Sequence, residues 1–150
     1  MYYNTIHWKV LGGSAWFLLL TMVSCQPHEG SEKQLKEDID SFATYYYNWH
    51  FAKAVKYCTP ESEEWLRYAA SNVHQADIDL VHAKAEDATI EIEDVDFLDD
   101  EVSANVNIHV TNFLQMDTIG QEAHLVTKAT FQIPMVIHQG KWKVKLDQMP

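Results

Sequence analysis

Cysteine, arginine and basic charge are all scarce in this chain, and each scarcity excludes something. Only Cys25 and Cys58 are present in 150 residues, too few for the disulfide framework that staples small secreted domains. Arginine occurs once, at Arg67, and 11 Lys and Arg face 22 Asp and Glu, a formal net charge of -11. Phosphate recognition needs clustered cations, so this balance excludes nucleic acid as a partner and speaks equally against anionic lipid headgroups. The chain contains no internal repeat and no low-complexity segment. No apolar run approaches the ~20 residues that a membrane-spanning helix requires.

What is present begins with the first 25 residues. Residues 1–9 carry one lysine, Lys9, and no acid; residues 10–20 are an apolar stretch, and Ser24-Cys25 ends the segment. A positive start, a short apolar stretch and a small residue before the break make a secretory signal. The ending on Ser24-Cys25 resembles the lipobox of bacterial lipoproteins. That resemblance implies cleavage after residue 24, a palmitate-bearing lipid anchor on Cys25, and a location in the bacterial cell envelope. Residues 25–30, broken by Pro27 and Gly30, read as a tether. Residues 31–150 are then one domain, and the 47% apolar content of the whole chain suits a folded core. With Cys25 consumed by lipid, Cys58 has no intramolecular partner. Among apolar neighbours it reads as a small core residue rather than a nucleophile.

The domain opens with helical periodicity. Ser31 is followed at capping-box spacing by Gln34, and Leu35, Ile39, Phe42 and Tyr46 recur at helical intervals. A second short helix covers residues 50–57, and Thr59-Pro60 starts a third over residues 60–73 that turns Trp65, Leu66 and Ala69 inward. Residues 77–85 carry an ambiguous pattern, compatible with one or two further helical turns. The period then changes to two: Thr89–Glu93 alternates, and Val95 and Phe97 continue the pattern loosely. Strands follow over residues 102–111 and 123–138, joined by a polar connection at 117–120. A hairpin turn at Gln139-Gly140 leads to a last strand with Trp142, Val144 and Leu146 on one side. Helices followed by consecutive antiparallel strands define an α+β layout with the helices packed on one sheet face.

The run from Tyr47 to Glu61 resembles a signature of the nuclear transport factor 2-like superfamily, the cystatin-like α+β cones. Phe51, Ala54, Tyr57, Thr59 and Pro60 fit its short helix, and Trp49-His50 stands where the family usually has Gly-Asp. The resemblance covers nearly all of residues 31–147. It implies a curved antiparallel sheet of about four long strands forming a cone or half-barrel, with a pocket at its centre. The residues placed to line such a pocket are Tyr46, Trp49, Val106, Ile108, Phe131, Ile133 and Trp142. Enzymes of this superfamily set carboxylates and their partners in the pocket. Here Val102, Ala104, Val106, Ile108 and Val110 form one apolar face. Leu125, Thr127, Ala129, Phe131, Ile133, Met135 and Ile137 form the next, and none of these registers carries an acid, His or Lys.

Other constellations carry less. Residues 86–101 hold nine acids and no Lys or Arg. Asp94, Asp96, Asp99 and Asp100 offer oxygen ligands for a hard cation, though not at EF-hand spacing. The simpler reading is a solvated strand face and turn, with Lys141, Lys143 and Lys145 as candidates to lie opposite. The histidines show no metal-site spacing, and His109 and His124 are the pair expected on neighbouring strands. Asp38 and Asp40 are the helical acids open to acid/base work.

No catalytic residue, metal ligand or cofactor is assigned. The expectation is a membrane-tethered, non-catalytic binding or interaction module, taking an apolar small molecule or an envelope protein. The alternative is a small hydrolase or isomerase using an apolar cone pocket. The resemblance also allows a homodimer through the outer face of the sheet. Replacing Cys25 by Ala should leave an unprocessed precursor that no longer labels with palmitate; persistent labelling would remove the anchor.

Overall fold

The computed structural model describes residues 30–116 and 121–148. The leader, Cys25, most of the tether and the 117–120 connection lie outside them. Helix α1 spans Glu32–Tyr47, α2 Phe51–Ala54, α3 Glu63–Ser71 and α4 Gln75–Ala83. Short 3-10 turns at Val55–Tyr57 and Pro60–Ser62 link α2 to α3. Strands β1 (Thr89–Phe97), β2 (Ser103–Gln115), β3 (His124–His138) and β4 (Lys141–Val144) follow. They form an antiparallel sheet in the order β1-β2-β3-β4. The α+β layout is as expected, and the region with the ambiguous pattern is α4.

Helix α1 begins where the cap chemistry places it. Ser31 Oγ accepts the Gln34 N–H at 3.1 Å, while Gln34 Oε1 reaches one residue further back and accepts Gly30 N–H at 3.0 Å. That side chain also accepts Trp142 N–H at 3.3 Å, and Trp142 Nε1–H donates to Gly30 O at 2.8 Å. One capping residue therefore ties the start of α1 to the β3–β4 hairpin. Leu35, Ile39, Phe42 and Ala43 are fully buried along the inner stripe of α1, against Val106, Ile108, Val110, Ile133 and Met135. Each large aliphatic or aromatic side chain so covered contributes about 1.5–3 kcal/mol.

Two features of the sheet explain why its sequence pattern is irregular. The β1–β2 register shifts between Ile92 and Asp94. A bulge at this point inserts one extra residue, so Ile90 and Ile92 are followed inward by Val95 rather than by position 94. In β2, Asn112 takes φ 54°. A left-handed residue interrupts the two-residue alternation. Beyond it Phe113 and Leu114 are both buried, and on β3 Val126 packs on the core while Leu125 is 53% exposed. The expected inward registers therefore fail at their ends: Val102, Leu125 and Thr127 are exposed.

The expectation of four long strands holds for three, since β4 has four residues. Lys145 N–H still donates to Pro134 O at 2.9 Å, but Pro134 has no N–H to return, which stops the ladder. The sheet order also separates charges thought to face each other. Acidic β1 and the lysines of β4 lie on opposite edge strands. Among the described residues, the ion pair of a β1 acid is instead His109 Nε2 to Glu93 at 3.5 Å.

Asp77 fastens α4 to the sheet. It is fully buried, with Oδ2 accepting His74 N–H at 2.8 Å and Oδ1 accepting Ala123 N–H at 2.8 Å. Removing the carboxylate strands two backbone donors, one of them inside the core. Asp77→Ala should therefore lose about 2–3 kcal/mol, read as a lower urea midpoint at unchanged m-value.

Candidate functional site

Aromatic side chains from α1, the turn after it and the inner sheet face converge at the end of α1. Helix α1 closes in a Schellman turn, with Trp49 N–H bonded to Tyr46 O at 3.0 Å and His50 N–H to Tyr45 O at 2.8 Å. Such a turn needs a left-handed residue, usually Gly, and here Trp49 supplies it at φ 61°. A bulky residue in that conformation carries a cost of about 1–2 kcal/mol. Compensation comes from the indole: Trp49 Nε1–H donates to Leu114 O at 3.2 Å, and the ring lies 6.0 Å from Phe51. Trp49-His50 thus closes the helix in a tight turn without a glycine.

Tyr47 points from the same helix end into the core. Its ring lies 5.3 Å from Phe113, 5.0 Å from Phe131 and 5.1 Å from Tyr46. Its hydroxyl is the buried side-chain polar atom among the described residues that lacks a hydrogen-bond partner. Burial raises the ionisation of Tyr47 well above the ordinary phenol range, with Tyr46 adding to it, and Tyr46 is raised in the same way, first by burial.

The residues expected to line a cone pocket are placed in or against this core. Val106, Ile108 and Ile133 have no exposed surface and Trp142 is buried, while Tyr46 and Phe131 are partly buried against them. Tyr46 stacks on Phe42 with ring centroids 5.5 Å apart. Trp49 is half-buried at the helix end.

A cleft of about 380 Å³ lies elsewhere, between the end of α4 and the far ends of β2 and β3. Leu80, Ala83, Leu114 and Leu125 make its apolar lining, and Lys84, Glu86 and Asn112 its polar part. Asn112 shapes it as well as lining it. Its backbone is left-handed, and its Nδ2–H donates to Glu86 O at 2.6 Å, holding the chain that leads into β1. Partial burial lowers the Lys84 ammonium, opposed by the nearby Asp87 carboxylate. Sequence reading missed this cleft because α4 was ambiguous and Leu125 was assigned to the inner face. Its one legible trace was Asn112 amid an alternating strand. A second hollow of about 280 Å³ between α1 and the β1 bulge is lined by Glu32, Lys36, Ile92, Glu93, Asp94 and Val95.

The remaining candidates are held by structure. Asp38 accepts Gln34 Nε2–H at 2.5 Å, and burial raises its carboxyl against the pull of Gln34, Lys143 and Lys141; Asp40 is exposed. Asp100 is a turn residue: the Ser103 hydroxyl and the Val102 and Ser103 amides hold its carboxyl below the usual range. Register pairs His109 with Thr130 and His124 with Gln115, so the two histidines do not meet. Among the described residues no group of three His, Cys, Asp or Glu is placed to hold a metal ion. The Cys58 thiol is buried beside Ala54 O, and burial pushes it up to about 12, which keeps it protonated and slow to react at neutral pH.

Compared with models of known families, with curated proteins and with solved structures, the chain matches none.

The unpartnered hydroxyl of Tyr47 generates a direct test. Tyr47→Phe should hold or raise stability, by about 1 kcal/mol, seen as a melting temperature unchanged or a few degrees higher. A clear loss would reveal a bound partner for that hydroxyl.

Proposed function

We propose that this protein is a membrane-tethered, non-catalytic binding module of the bacterial cell envelope, anchored through lipid on Cys25 and carrying a nuclear transport factor 2-like domain. The cone shape of that fold is supported by one contact. The rings of Phe97 on edge strand β1 and Trp142 on edge strand β4 lie 5.9 Å apart, as in a sheet that curls around α1.

The observation that carries the binding role is the cleft beneath α4. Its volume falls within the ~300–1,000 Å³ range of small-molecule sites, and its lining is mainly leucine and alanine. An apolar small molecule fits that chemistry, with Lys84 and Glu86 supplying polar contacts. The candidate cone residues Val106, Ile108, Ile133 and Trp142 belong to the buried core and do not line this cleft. The acids of α1, the apolar strand faces and the buried Cys58 offer no specific observation in favour of a hydrolase or isomerase. No helix among the described residues is long and apolar enough to cross a membrane; the proposed attachment is the anchor at Cys25.

Leu125 is the side chain to change, because its exposure allows a charge without collapse of the core. Leu125→Glu should weaken binding of an apolar dye such as Nile red at least about tenfold, or about 1.4 kcal/mol, at an unchanged melting temperature. Equal dye binding by the variant would remove the cleft from the reading. Native mass spectrometry of the purified protein should show a co-purified apolar ligand.

A further inference from the structure

One end of the domain gathers features that the cleft does not use. The chain enters it at Gly30, whose carbonyl accepts Trp142 Nε1–H at 2.8 Å. Trp142 in turn lies against Phe97, with ring centroids 5.9 Å apart. Ile137 N–H donates to Val102 O at 2.8 Å, and a Cβ placed on Gly30 would stand 3.3 Å from Ile137 Cδ1. The point of entry and the β1–β2 turn are therefore neighbours.

On that turn Phe97, Leu98 and Val102 are 46, 40 and 48% exposed. Hydrogen bonds order it: Asp100 Oδ1 accepts the Val102 and Ser103 amides at 3.0 and 2.8 Å, and Glu101 N–H donates to Leu98 O at 3.1 Å. Three large apolar side chains exposed within six residues of one ordered turn offer an interaction surface.

The length of the chain outside the described residues says what covers it. Cys25 precedes Gly30 by five residues, which fully extended reach about 17 Å. With lipid on Cys25 seated in a bilayer, a leash that short holds the Gly30 end beside the membrane.

We infer that the β1–β2 turn docks on the bilayer interface, with Phe97, Leu98 and Val102 entering the headgroup region next to the lipid anchor. This rests on the anchored reading above and adds an orientation to it. The acids around the turn, Asp96, Asp99, Asp100 and Glu101, outnumber Lys141 of the neighbouring hairpin, so anionic headgroups repel this end and a zwitterionic surface is favoured. The register of β2 with β3 runs from Ser103↔Val136 at this end to Leu114↔Leu125 at the other. Docking at the turn therefore leaves the α4 cleft facing away from the membrane and open to its ligand.

The test uses the full-length lipidated protein in phosphatidylcholine vesicles containing a headgroup-labelled acceptor lipid. A donor fluorophore is placed on Asp99→Cys in the turn or on Glu122→Cys at the far end, and buried Cys58 stays unlabelled. Energy transfer should be several-fold stronger from position 99 than from position 122. The double variant Leu98→Ser/Val102→Thr should abolish the difference. Mixing in phosphatidylglycerol should reduce it, and added salt should restore it. Equal transfer from both positions in phosphatidylcholine, or a difference indifferent to the double variant, overturns the proposal. So does a dimer in native mass spectrometry that the double variant dissolves, which would make a second copy the cover. Intact mass reports the anchor separately: an unacylated Cys25 sinks the anchored reading. Flotation of that unacylated chain with phosphatidylcholine vesicles, compared between the parent and the double variant, then reads the turn apart from the retained leader. Flotation reduced in the double variant supports docking, and equal flotation of the two overturns it.

Discussion

The apolar face of the sheet must be covered, and α1 covers it. Ala104, Val106, Ile108 and Val110 on β2 and Ile133 and Met135 on β3 are all buried. Leaving that surface wet would forfeit about 25 cal/mol for each Å². Helix α1 answers with Leu35, Ile39, Phe42 and Tyr47 on one stripe. The other elements follow from how this helix is held at its two ends.

At the N-terminal end the hold is polar. Gln34, Gly30 and Trp142 share hydrogen bonds that join the helix cap to the last hairpin. Trp142 also lies against Phe97 on β1, so side chains of the first and last strands meet at this end. At the C-terminal end the hold is a strained turn and an amide. Trp49 bonds the end of β2, and Asn48 exchanges hydrogen bonds with Ala88 at the start of β1, at 2.8 and 3.2 Å. Polar groups thus set the position of a helix whose affinity for the sheet is apolar. Apolar burial is non-directional, whereas hydrogen bonds impose register.

The proposed ligand cleft and the proposed membrane contact stand at opposite ends of the sheet because two local departures from regular strand structure stand there. At one end Asn112 is left-handed and Leu125 stands exposed at the cleft; at the other, the tight turn after Phe97 carries exposed Leu98 and Val102 beside the chain entry. The acidic side chains between them lie along β1, on the edge strand away from the lysines of β4.

Local signals determined the elements. Ser31 with Gln34, Thr59 with Pro60, Gln139-Gly140 and the alternation along β2 each act within a few residues, so helix starts, turns and strands could be read directly from them. The phase break between Ile92 and Val95 was visible too, although only pairing with β2 identifies it as a bulge. What the tertiary structure decided were relations between distant residues: which strands form the edges, that Asp77 reaches Ala123, and that Gly30 meets Trp142. It also decided that Asn112 reverses the inner face of β2 and opens a cleft under α4. Periodicity reports which face of an element is apolar, but not where a left-handed residue reverses that face. Nor does it report which of several apolar faces a helix will cover. Those outcomes depend on backbone conformation and on hydrogen bonds formed only once the chain has closed on itself.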